Sequence, residues 1–324
     1  MHEARRRQVL TRRNVRGQGG ACRFKHRGRP GGMNNECMST TQSPLAPAFG
    51  APRDAATVLL LRDGSNGLEV FLMKRSGLSD TFGESYVFPG GKLDAHDSSP
   101  AALAALDEPA AALHQRLGEP GNNEALAAGL FVAAMRELFE EAGVLLAHGS
   151  GRPASVESAD WQAWLAQPST RLAATALVPW SRWITPQMAA LSKKRFDTRF
   201  FLALAPADQV ARHDNFETTA SVWLTPVEAL QRYHRADIEM APPQIMSLAH
   251  LARFSSAAEV LNSARTRLPA RILPENFEED GTVILSYPGD RLHSVSERAL
   301  PGPTRLLVRN KRFVPEGPLE SLWR

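Results

Sequence analysis

The stretch from Asn123 to Leu146 constrains this chain most, because it is its clearest run of strong helix formers. Asn122 or Asn123 can cap its start, and Gly149 lies beyond its end. Within it stands Arg136-Glu137-Leu138-Phe139-Glu140-Glu141-Ala142-Gly143-Val144. Residues three and four apart share a helical face, so Glu137, Glu140 and Glu141 project together. Leu138, Ala142 and Leu145 are expected on the opposite side. No Lys or Arg stands four residues after any of these glutamates, so their mutual repulsion is not relieved along the helix. A Glu-rich turn can be plain solvated surface. A hard divalent cation, Mg²⁺ or Mn²⁺, also resolves such crowding, since both prefer oxygen ligands. Arg136, four residues before Glu140, can orient that carboxylate through a charge-assisted bond.

Elsewhere, strands and helices interleave. Residues 56–62 read as a buried strand, 63–67 as a turn and 68–75 as its hairpin partner. Phe88-Pro89-Gly90-Gly91 reads as a strand ending in a double-glycine turn, where backbone can approach a ligand closely. Residues 98–120 are alanine-rich with three prolines, which suggests short helices, and 159–165 another. Strands are expected at 176–183, 198–204 and 221–224. Thr225 and Pro226 open a helix, and a long helix should cover 243–264. Short strands are expected at 282–285 and 305–308. The pattern predicts an α/β architecture with a mixed sheet and helices on both faces.

Charge argues against a nucleic-acid partner. The chain carries 38 Lys and Arg against 34 acids, but residues 1–33 hold ten of the former and one of the latter. The remaining 28 basic and 33 acidic side chains leave the body at −5. A polyanion-binding body is expected to keep its own basic surface. Residues 1–50 lack apolar periodicity and read as a disordered basic leader, or as codons upstream of a start at Met33 or Met38. Deleting residues 1–37 is therefore expected to leave melting temperature and turnover unchanged, and a large loss of either would show that the leader folds onto the body. Both cysteines, Cys22 and Cys37, lie in or beside the leader. The body thus has no thiol for a disulfide or metal site, which suits a reducing, cytoplasmic setting. No run of eighteen apolar residues suggests a membrane span.

Together the glycine turn and the Glu-rich helix resemble the Nudix box: a glycine, five residues, a glutamate, seven residues, then Arg-Glu-aliphatic-x-Glu-Glu-x-Gly-aliphatic. Arg136 to Val144 match every fixed position of the second half, and Gly91 fits the opening glycine. Aspartate, Asp97, stands where the glutamate is expected. Arg136 follows it by 39 residues rather than eight, an insertion of 31. An interrupted box is similar to the acyl-CoA diphosphatase branch of the family. So are Leu177 to Pro186, Arg195-Phe196-Asp197-Thr198-Arg199-Phe200-Phe201 and Trp223-Leu224-Thr225-Pro226. The CoA signature of other branches is not matched, with Gly83 one residue out of place and Ser79 near the arginine position. The last residues, Ser321 to Arg324, are no peroxisomal address.

The resemblance implies a Nudix α/β/α sandwich over 51–264, a helical insertion at about 98–122, and a C-terminal extension over 265–324 packed on it. It implies a hydrolase that cuts a diphosphate bond, in CoA or acyl-CoA, with a nucleoside diphosphate derivative such as NADH or ADP-ribose as the alternative substrate. An inactive binding module is the third reading, set against by the intact second half of the box. Glu137, Glu140 and Glu141 are implied as metal ligands, and Arg136 as support. Gly90 and Gly91 would line the diphosphate, with Arg75, Arg195 or Arg199 as phosphate clamps and Glu217 as general base. Each arginine otherwise reads as a surface charge or an internal ion-pair partner, and Glu217 as an exposed loop charge. Trp180, Trp183, Phe196 and Phe200 read as core, and His96 is not needed as a ligand. Residues 98–120 are expected to cap the substrate mouth. Asp97→Glu is expected to be tolerated or mildly beneficial. Oligomeric state is not legible.

Overall fold

The computed structural model describes residues 50–76, 84–149, 151–155, 158–186, 194–213 and 218–324. The chain enters through β1 (Arg53–Gly64) and turns at Ser65-Asn66 into β2 (Gly67–Arg75). Short strands β3 (Tyr86–Val87) and β4 (Gly90–Lys92) follow. A 3-10 turn, Ala95–Ser98, leads to α1 (Pro100–Ala104) and α2 (Ala110–Leu117). Next come α3 (Glu124–Ala142), α4 (Ser158–Leu165), β5 (Val178–Ile184), β6 (Phe196–Leu204) and β7 (Thr218–Leu224). Three helices follow: α5 (Pro226–His234), α6 (Pro242–Leu251) and α7 (Ala257–Arg265). The chain ends in β8 (Ala270–Ile272), β9 (Glu275–Glu279), β10 (Thr282–Ser286), β11 (Arg305–Arg309) and β12 (Arg312–Val314).

The main sheet runs β3-β2-β1-β6-β5-β8, with β4 paired to β1 and β7 to β2. It is mixed, as expected: β1 and β6 are parallel, as are β5 and β8, and the other pairings are antiparallel. Central strands are buried on both faces, and alternation divides their side chains between two cores. Ala56, Val58 and Leu60 of β1 join Phe71, Met73 and Phe201 under α1 to α4. Leu59 and Leu61 join Val70, Leu72 and Leu202 under α5 to α7. Trp180, Trp183 and Phe200 are buried in this second core, whereas Phe196 is half-buried at the sheet end.

Three differences from the sequence reading have local causes. Helix α3 starts at its Asn123 cap, whose side chain accepts from Leu126 N–H at 2.8 Å, but it ends at Ala142 rather than Leu146. Gly143 turns left-handed at φ 68° and stops it, so Leu145 lies outside the helix. The expected helix over 243–264 is two helices, because Ser256 caps a new one by accepting from Glu259 N–H. Residues 275–314 form a separate four-stranded antiparallel sheet, β12-β11-β10-β9, whose Leu285, Leu306 and Phe313 pack into the second core.

The helices inserted between β4 and α3 are part of the first core. Leu113 and Leu117 of α2 are buried in the same cluster as Leu130 and Phe131 of α3. This cover explains why Ala127 to Met135 are buried all around the helix. Past α2, Glu119 ties the insertion to the sheet. It accepts from Arg199 Nε and Nη2 at 3.0 and 2.7 Å and pairs with Arg182 at 2.9 Å.

Candidate functional site

The site is built where β4 meets the last two turns of α3. Gly90 and Gly91 lie opposite Thr57 and Ala56 of β1. A Cβ on Gly91 would overlap the Glu137 carboxylate, and one on Gly90 would overlap Ala56 carbonyl oxygen and Thr57. At Gly90, where the neighbours include backbone atoms of β1, only glycine lets the strand pass so close. Gly90 N–H donates to Glu141 Oε2 at 2.8 Å, which joins the turn to the helix directly.

Arg136 organises the rest. Its side chain is 7% exposed and its Nε and Nη2 donate to the two oxygens of Asp97 at 2.8 and 2.9 Å. Nη2 also reaches Lys92 carbonyl oxygen at 3.0 Å. Nη1 is left for the acidic face, donating to Glu137 Oε1 at 2.9 Å and Glu140 Oε2 at 2.8 Å. Burial works against the charge on Arg136, but Asp97, Glu137 and Glu140 outweigh it and hold its pKa above the ordinary value. Asp97 is itself buried, and its Oδ2 accepts from Asp94 N–H at 2.9 Å in the 3-10 turn. It thus meets Arg136 although 39 residues separate the two in sequence. Its shorter side chain suffices because the turn carrying it lies against α3.

Burial pushes the Glu137 carboxyl up to about 7, opposed by Arg136 and assisted by Glu140. Glu140 is raised in the same way, by burial first and against the pull of Arg136. The helix thus holds carboxylates that would gain from more positive charge than Arg136 supplies. All three offer oxygen donors only, which suits a hard divalent cation. Among the described residues no three His, Cys, Asp or Glu side chains are already gathered around one point. Glu141 is turned to Gly90, while Glu137 and Glu140 are turned to Arg136.

The remaining candidates separate. Arg75 ends β2 opposite Thr218, and its guanidinium has no hydrogen-bond or ion-pair partner among the described residues. Arg195 donates to Thr185 and Gly50 carbonyl oxygens. Arg199 is buried in ion pairs with Asp54, Glu119 and Asp197, so it is a structural cation and not a phosphate clamp. Burial opposes its charge, but Glu119, Asp197 and Asp54 raise its pKa. His96 is exposed. Glu217 lies outside the described residues, as do Ser79 and Gly83.

An α/β/α sandwich with a complete Arg-Glu-x-x-Glu-Glu helix docked on a Gly-Gly strand defines a Nudix hydrolase, an enzyme class acting on diphosphate bonds. The chain belongs to the NUDT19 Nudix domain family, whose sequence pattern matches residues 52–251. It is 30% identical over 303 residues to a Gallus gallus protein named acyl-coenzyme A diphosphatase NUDT19, covering 74% of this chain and 79% of that one. A Xenopus laevis protein of the same name is 25% identical over 277 residues, covering 72% and 73%. Among solved structures, a Nudix hydrolase from Alicyclobacillus acidocaldarius aligns with TM-score 0.54 at 24% identity, over 68% of this chain and 99% of that one. This likeness concerns the fold.

Proposed function

We propose that the chain is a metal-dependent acyl-CoA diphosphatase, cleaving CoA or acyl-CoA to 3′,5′-ADP and (acyl-)phosphopantetheine. The observation that carries the reaction is the undivided acidic face of α3, held by a buried Arg136 that Asp97 keeps in place. The names of the relatives in Gallus gallus and Xenopus laevis support the substrate. An inactive module would have no use for three intact carboxylates, two of them held at a cost in burial.

In this reading Glu137, Glu140 and Glu141 hold Mg²⁺ or Mn²⁺. Such a cation, when bound, lowers the pKa of a water and neutralises charge building on phosphoryl oxygens. Arg136 fixes the rotamers of Glu137 and Glu140, so little side-chain entropy is lost on binding. Gly90 and Gly91 keep bulk away from the diphosphate side, and Arg75, with no partner among the described residues, can meet phosphate. Glu217 is the proposed general base. The body's net negative charge outside the leader suits a small substrate carried to one basic point better than a nucleic acid. No helix among the described residues is long and apolar enough to cross a membrane.

The test is a panel of CoA, acetyl-CoA, a long-chain acyl-CoA, NADH and ADP-ribose with purified protein and Mg²⁺ or Mn²⁺. The expected result is metal-dependent release of 3′,5′-ADP, with kcat/KM highest on a CoA substrate. Higher kcat/KM on NADH or ADP-ribose would replace CoA by a nucleoside diphosphate derivative. No turnover of any would remove the enzyme reading.

A further inference from the structure

A second cleft, of about 720 Å³, opens between α2, the start of β5 and the turn from α7 to β8. That is within the range of roughly 300–1,000 Å³ typical of small-molecule sites. None of its lining residues belongs to β4 or to the C-terminal half of α3, so it is separate from the site above. Its walls carry Arg116, Arg265 and Arg267 against one acid, Glu108. Arg116 is committed: it pairs with Glu108 and donates to the carbonyl oxygens of Ala174 and Leu177. Arg265 and Arg267 have no carboxylate partner among the described residues, and they leave the cleft with an excess of two positive charges on a body that is otherwise acidic.

Arg267 is the unusual one. Its guanidinium lies 4.3 Å from the Trp180 ring centre. Its Nη1 makes two long bonds, to the carbonyl oxygens of Trp180 at 3.3 Å and Leu268 at 3.4 Å. Its Nη2 is buried without a hydrogen-bond partner, and no carboxylate within ion-pair distance is found among the described residues. Burial lowers its pKa with no acid to offset it. A half-buried cation without a counter-charge is costly, and a cation–π contact of about 1–2 kcal/mol offsets only part of that. Arg265, exposed at the end of α7, has no partner among the described residues and lines the same cleft. Gln115 supplies a neutral amide on the opposite wall. Two cations with free donors and one amide, around a space of this size, match a phosphate group in charge and hydrogen-bonding capacity.

We propose that this cleft binds the phosphate group of a small molecule, with Arg265 and Arg267 as charged donors and Gln115 as a neutral one. The ligand bridges the insertion helix α2 to the α7–β8 turn, and so clamps the insertion on the side away from the glutamates. The inference does not rest on the identity of the hydrolysed substrate.

Calorimetric titration of the metal-free full-length protein tests it, with inorganic phosphate and 3′,5′-ADP as separate probes at physiological ionic strength. Saturable binding of either supports the site, and binding of the nucleotide alone would mean that an organic phosphate is required. Arg265→Glu and Arg267→Met should each weaken it by about tenfold or more, the value of one charge-assisted bond. Glu140→Gln should leave it unchanged. Arg265 is exposed, so its variant keeps the test valid if loss of the Trp180 stack destabilises Arg267→Met. Absence of saturable binding, or equal affinity in both arginine variants, would overturn the proposal. Since no turnover is measured, failure of acyl-CoA as substrate would leave this result untouched.

Discussion

Glu140→Gln and Glu141→Gln are each expected to lower kcat by about two to four orders of magnitude, equivalent to roughly 3–5 kcal/mol of transition-state stabilisation. Gln keeps the shape of each side chain and one acceptor oxygen. Glu141→Gln can therefore still accept from Gly90 N–H, and Glu140→Gln can still accept from Arg136. What both lose is the negative charge that holds the cation, so kcat should fall while circular dichroism is unchanged. Glu137→Gln adds a stability readout. Burial is the chief cause that lifts the folded-state pKa of Glu137 from the ordinary glutamate value to about 7. A carboxyl raised in this way costs nothing below the unfolded value, and its ionisation destabilises the fold progressively between the two pKa values. The metal-free Gln variant should therefore match wild type near pH 4.5 and melt higher above pH 7, by at most about 3 kcal/mol. Full activity in the Glu140 and Glu141 variants, with metal still required, would move the metal elsewhere.

Much of this site was legible from local sequence because its parts are local. Helical spacing alone put Glu137, Glu140 and Glu141 on one face and Arg136 within reach of Glu140, and the side chains meet so. Asn123 and Thr225 announced their helices as caps, since the side-chain oxygen of each needs only the backbone N–H three residues ahead as its donor. Helix ends were harder. Val144-Leu145-Leu146 continues the apolar run of α3, yet Gly143 redirects the chain and the run is buried off the helix. There Leu145 N–H donates to the Gln209 side chain and Leu146 carbonyl oxygen accepts from Ala173. Strand β9, Glu-Asn-Phe-Glu-Glu, is too polar to be read as a strand, and it pairs only because Thr282–Ser286 offers it an edge. Arg199 shows the same limit: nothing nearby in sequence reveals that Glu119, 80 residues away, comes back to meet it.

Asp97 is where the structure reverses an expectation, and it supports the second large effect. Read as a departure from the box, it suggested that Asp97→Glu would be tolerated or mildly beneficial. In the fold Asp97 is 1% exposed, and both its oxygens are spent, on Arg136 and on Asp94 N–H. One more methylene has no space to enter without moving the 3-10 turn off α3, an overpacking cost of about 1–3 kcal/mol. Asp97→Ala is worse, because it strips the bidentate partner from an arginine whose side chain is 7% exposed. Breaking one side of a buried pair costs about 3–5 kcal/mol, since the remaining charge stays desolvated. Arg136 would then turn wholly to Glu137 and Glu140, competing with the cation for the same oxygens. Asp97→Ala should thus lower the denaturant midpoint at unchanged slope, and also raise the metal concentration needed for half-maximal activity. Asp97→Glu should share the first effect in milder form and spare the second. If Asp97→Ala lost stability alone, with metal dependence as in wild type, Asp97 would serve the fold without positioning the glutamates.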